Sequence, residues 1–142
     1  MNFIDKALAD KLTGDDFLQA MAGIYSESDV RDILSQYPAF IADVIAIIDY
    51  DTALNMDGLS DIITDYGNSQ DHLETILLAL EHCGLTEEAD ILREAKALWD
   101  TDEDQYEETY SDFSDRLLLF CDSDRFWDSV RTYIDANLTQ SQ

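Results

Sequence analysis

Proline occurs once and glycine five times in 142 residues, so the chain has little of the material that punctuates sheets, long loops and linkers. Cysteine is scarcer than glycine. Cys83 and Cys121 stand 38 positions apart with no paired motif, which points to reduced thiols in a cytoplasm rather than a disulfide framework. No apolar run exceeds a handful of residues, as from Val44 to Ile48, far short of a bilayer span. The opening stretch carries Asp5 and Asp10 and lacks the basic-then-apolar order of a secretory signal, so a cytoplasmic location is expected. The most telling shortage is of positive charge: eight Lys and Arg face 32 Asp and Glu, for a formal charge of −24. That imbalance excludes nucleic acid and anionic lipid as direct ligands.

The acid is distributed rather than gathered in a tail: 14 acids and 3 bases lie up to Asp71, and 18 acids and 5 bases from His72 onward. Such a field strains the compact state by self-repulsion and attracts basic surfaces. Leu, Ile, Val and Phe still number 38, about 27% of the chain against the roughly 20% below which charged chains stay unfolded. One domain over residues 1–142, with a core of its own, is expected.

Apolar residues recur at helical spacing almost throughout, and the chain reads as all-α. Asp15 and Asp16 precede a stripe of Phe17, Leu18, Met21 and Ile24, and suit the positive end of a helix dipole. Ser26 with Asp29 resembles a capping box ahead of Val30, Ile33, Leu34 and Tyr37, until Pro38 interrupts. Phe40, Ile41, Val44, Ile45, Ile47 and Ile48 then cover most of a helix circumference with Asp43 alone among them, which predicts a buried central helix. A less regular stretch with a turn and a short helix follows over Asp49–Gly67. Leu73, Ile76, Leu77 and Leu80 form the next stripe, with Gly84 as a left-handed stop and Thr86 as a new cap. Ile91, Leu92, Ala95, Leu98 and Trp99 continue it, which predicts an antiparallel helix pair. Beyond it, ten carboxylates and one base, Arg116, fall between Asp100 and Asp124, yet Tyr106, Tyr110, Phe113, Leu117 and Phe120 keep a stripe. A last helix offers Phe126, Val130, Tyr133 and Ile134.

Catalytic and metal motifs do not assemble. Asp100, Asp102 and Asp104 fill the first ligand positions of a calcium loop, but Gln105 stands where glycine is required and Ser111 where the closing Glu belongs. His72 and His82 lie ten apart on one predicted helix, about 15 Å along its axis and beyond the reach of one ion. No glycine-rich phosphate loop or nucleophilic serine elbow is present. The expectation is a protein that is not an enzyme and needs no cofactor and no metal. The charge pattern remains: Asp104, Glu108, Asp112 and Asp115 recur every three or four residues opposite the aromatic stripe, with Asp100 and Asp102 just before them. That row reads either as a stand-in for phosphates or as a solvated face. Asp57, Asp61 and Asp65 are further acids that the fold could bring to the same surface. Most tyrosines sit at core spacing, whereas Trp127, beside Phe126 and off the last stripe, is expected to be an exposed aromatic and a binding anchor.

Residues 51–99 carry a resemblance. Leu54-Asn55-Met56-Asp57-Gly58-Leu59 is similar to an Asn- and Gly-containing turn, Ile62-Ile63 to the apolar pair after it, and Gly67 to the break. Glu74 through Leu85 and Ala89 through Ala95 follow as the helix pair. Together they resemble the small acidic bacterial DNA-mimic proteins of the DMP type, with Met56, Asp57, Leu59 and Ala53 departing from the pattern. The resemblance implies an all-α fold and mimicry of the DNA phosphate backbone. The partner would be a basic DNA-binding protein, such as a transcription regulator or nucleoid protein, whose DNA the chain displaces. An immunity protein or antitoxin capping a basic nuclease needs the same charge with a hot-spot interface, and an ordinary acidic globular protein is the third reading.

Overall fold

A computed structural model describes residues 2–56, 62–63 and 71–140. Among the described residues the α-helices run in the order α1 Phe3–Ala9, α2 Gly14–Met21, α3 Ala39–Met56, α4 Asp71–His82, α5 Thr86–Thr101, α6 Glu103–Cys121 and α7 Asp124–Gln140. Two 3-10 segments, Ala22–Tyr25 and Ser28–Gln36, lie between α2 and α3. Among the described residues there is no strand, so the fold is all-α. The expected Asp57–Gly58 turn, Leu59, the Gly67 break and the acids Asp57, Asp61 and Asp65 lie outside the described residues.

The central helix starts where the apolar run placed it but continues through Asp49, where a less regular stretch was expected, to Met56. Phe40, Ile41, Val44, Ile45, Ile47 and Tyr50 are all buried, and α3 packs against α2, the second 3-10 segment, α4, α6 and α7. A helix with neighbours on so many sides cannot be amphipathic, which is why its apolar residues ring the axis. The α4–α5 turn also follows its punctuation. Gly84 has φ +78°, its N–H donates to the Glu81 carbonyl, and the Leu85 N–H donates to the Leu80 carbonyl at 2.8 Å. Those two bonds make a Schellman stop, and only glycine adopts that backbone without strain.

Two caps differ from expectation. Thr86 is the first residue of α5 rather than its cap; Leu85 holds that position and gives no side-chain bond. Ser26 and Asp29 form no capping box either, and Ser28–Gln36 is a 3-10 helix entered from Glu27. The Glu27 carboxylate is engaged elsewhere, accepting from the Phe3 N–H of α1 at 3.2 Å. The capping box belongs instead to Asn2 and Asp5, which exchange side-chain and backbone bonds at the start of α1. Gly23 lets this corner close: a Cβ there would lie 2.8 Å from the Phe3 ring.

Candidate protein-binding face

The acidic helix α6 is fixed from behind. Tyr106, Phe113, Leu117 and Cys121 are buried, and Trp99 of α5, Tyr106 and Tyr110 form an edge-to-face ladder with centroids 5.2 and 5.9 Å apart. With that side held against the core, Asp104, Glu108, Asp112 and Asp115 are all exposed. They run about 16 Å along the axis at 1.5 Å per residue. Among the described residues no cation lies within ion-pair distance of Asp104, Glu108 or Asp115, whereas Asp112 has Arg116 at 3.7 Å, one turn away. Like charges one turn apart cost the helix a few tenths of a kcal/mol per pair. The buried aromatic side is what holds the row in place.

Asp100 and Asp102 sit at the α5–α6 corner instead of on the row. Asp100 pairs with Lys96 at 3.2 Å. Asp102 is the N-cap of α6, its carboxylate accepting from the Gln105 N–H at 3.1 Å. That bond satisfies one of the orphan donors at a helix start.

Trp127 is half-buried rather than exposed. Its ring meets Phe126 edge-on at 4.9 Å, and its indole N–H donates to the Cys121 carbonyl at 2.7 Å, closing the corner between α6 and α7. An offset from the main stripe did not mean solvent, because the carbonyls at the end of α6 need donors. The exposed apolar side chain in this region is Leu119, 71% accessible, on the carboxylate side of α6 one turn beyond Asp115. The sequence holds the signal in Leu117-Leu118-Leu119-Phe120: at 100° per residue, four consecutive apolar positions cannot share one face.

A second polar cluster needs three helices to form. Asp43 of α3 accepts from Tyr133 Oη of α7 at 2.5 Å and lies 2.9 Å from Nδ1 of His82 at the end of α4. Burial, and then the neighbouring carboxylate, push the Tyr133 hydroxyl well above its ordinary range. The cluster lies on a shallow groove of about 500 Å³ that Pro38, Phe40 and Asn137 also line. Cys83, next in sequence to His82, is held as a thiol because burial pushes it up to about 12, far from the thiolate a nucleophile requires. Glu88 is the one fully buried charged residue among those described. Burial raises its carboxyl above the usual range more than Arg125, 3.7 Å away, lowers it.

Across the whole described chain no helix is long and apolar enough to cross a membrane. Compared with known proteins, residues 35–139 match the model of a family described as DMP19-like protein. Neither a curated protein nor a solved structure matches the chain.

Proposed function

Because the chain belongs to the DMP19-like family, matched over most of its length, we propose that it is a non-enzymatic DNA mimic. In this reading it presents carboxylates to the DNA-binding surface of a basic cytoplasmic protein, a transcription regulator or a nucleoid protein, and excludes DNA from it. The observation that carries the reading is the exposed row Asp104, Glu108, Asp112 and Asp115 on a helix anchored by its opposite side. Their spacing of about 5–6 Å follows from the helix rise and offers a series of Lys and Arg side chains one carboxylate each, as a phosphate backbone does. A charge of −24 steers the encounter and raises its rate. Asp100 and Asp102 extend the row's field from the corner, and the chain acts as a single unit over 1–142.

Mimicry requires that both ligands compete for the same basic residues. The test is displacement of labelled DNA from the partner, recovered from native extract by salt-gradient elution, at two salt concentrations. The expected result is full displacement that weakens steeply with salt. The variant with Asp104→Asn, Glu108→Gln, Asp112→Asn and Asp115→Asn should displace at least tenfold less well. A ternary complex with DNA still bound rejects mimicry. Undiminished displacement by the fourfold variant moves the face elsewhere.

A further inference from the structure

The outer face of α6 is not uniformly charged. Following Asp104, Glu108, Asp112 and Asp115 along it, the next position one turn on is Leu119, with 71% of its surface open to solvent. Its neighbours Leu117 and Leu118 turn inward, buried and half-buried. A lone exposed leucine needs no explanation in general; this one continues the carboxylate row in register.

We propose that α6 binds through a mixed face, in which the carboxylate row meets cations and Leu119 enters an apolar contact beside them on the partner's DNA-binding surface. This rests on the DNA-mimic reading and names what that surface must carry. Charge complementarity selects the occupant. A second copy of this chain would bring another −24 against the row, whereas a basic surface meets it with the opposite sign. Proteins that read the major groove place apolar side chains against thymine methyl groups next to the cations that hold phosphates, so Leu119 offers the apolar element that bare carboxylates lack. The division of labour is physical. Carboxylates accelerate encounter and are screened within about 8 Å at physiological salt. A desolvated leucine contact is insensitive to salt and acts on the dissociation rate.

The test uses two synthetic helical peptides of equal charge as probes. Both carry lysines at i, i+4 and i+8, and one turn further one carries leucine and the other glutamine. Binding to the full chain is measured by calorimetry at low and at physiological salt. The leucine peptide should bind about tenfold more tightly, the order expected for burying one such side chain. Leu119→Gln should erase that preference while leaving the glutamine peptide's affinity and the helical circular dichroism unchanged. The fourfold carboxylate variant should weaken both peptides and keep the preference. Equal affinity of the two peptides for the wild type, a preference that survives Leu119→Gln, or no binding of either peptide overturns the mixed face. Self-association of the chain that Leu119→Gln abolishes would also overturn it, by making a second copy the occupant. Failure of the DNA-mimic reading looks different: the peptide preference holds, yet DNA stays on the partner.

Discussion

Replacing Asp43 by Asn keeps the shape of the side chain and removes the charge on which two helices converge. In the wild type the carboxylate, largely shielded from solvent, accepts from Tyr133 Oη at 2.5 Å and lies 2.9 Å from His82 Nδ1. A hydrogen bond to a charged group is worth about 1.5–3 kcal/mol where it is shielded. The half-buried Tyr133 link belongs near the lower end, and the His82 link, with an exposed partner, contributes less than about 1 kcal/mol. Asp43→Asn should therefore cost about 2–3 kcal/mol. At 2–4 °C per kcal/mol for a chain of this size, the Tm falls by roughly 5–10 °C. Tyr133→Phe should cost about 1.5 kcal/mol, and the double variant little more than Asp43→Asn alone, because both remove one shared bond. Thermal and urea unfolding followed by circular dichroism measure all three. A Tm for Asp43→Asn within 2 °C of wild type, or strict additivity in the double variant, refutes the assignment of this cluster as a tie between α3 and α7.

Glu88→Gln tests the buried carboxyl. A native carboxyl raised above its ordinary 4.5 binds its proton more tightly folded than unfolded, so its contribution is full below the unfolded value and is lost as pH rises through the native one. The Gln variant lacks that loss and should gain about 1–2 kcal/mol over wild type between pH 4 and pH 7; a difference that is flat with pH counts against it. Gly23→Ala places a methyl 2.8 Å from the Phe3 ring and should destabilise by about 1–3 kcal/mol, read from the urea midpoint. Trp127→Phe removes the donor to the Cys121 carbonyl while keeping a ring against Phe126. It should cost about 1 kcal/mol of stability and change partner affinity less than twofold; a large loss of binding would restore Trp127 as an anchor.

What could be read in advance followed from how far apart the interacting residues lie. The Gly84 stop, the apolar circumference of α3 and the aromatic side of α6 are local patterns, each complete within one or two helices. Ser26 and Asp29 misled because the helix they flank is entered from Glu27, whose carboxylate serves a backbone N–H 24 positions away, which no local spacing encodes. Asp43 stood out as the lone acid in an apolar run, but its partners His82 and Tyr133 come from helices 39 and 90 positions further on. The carboxylate row was legible as a periodicity and Leu119 as one of four consecutive apolar positions, whereas the burial of Trp127 depended on the Cys121 carbonyl at the α6–α7 corner taking its indole N–H.

The contacts between α2 and α7 set an order of events during synthesis. The Gly14 N–H donates to the Asp135 carboxylate across 121 positions, and Arg131 reaches Asp15 across 116. Phe17, Leu18 and Met21 of α2 thus leave the ribosome long before α7 exists. At 5–20 residues per second that interval is roughly 6–24 s. Throughout it the α2 stripe can rest on α1 and on Phe40 of α3, stacked against Phe17, but lacks its α7 side, and Asp15 and Asp16 at its head and the mutual repulsion of neighbouring acidic chains guard what stays open. The α2 side of the fold therefore closes only once α7 has been made, and a truncation that removes α7 strips α2 of that packing.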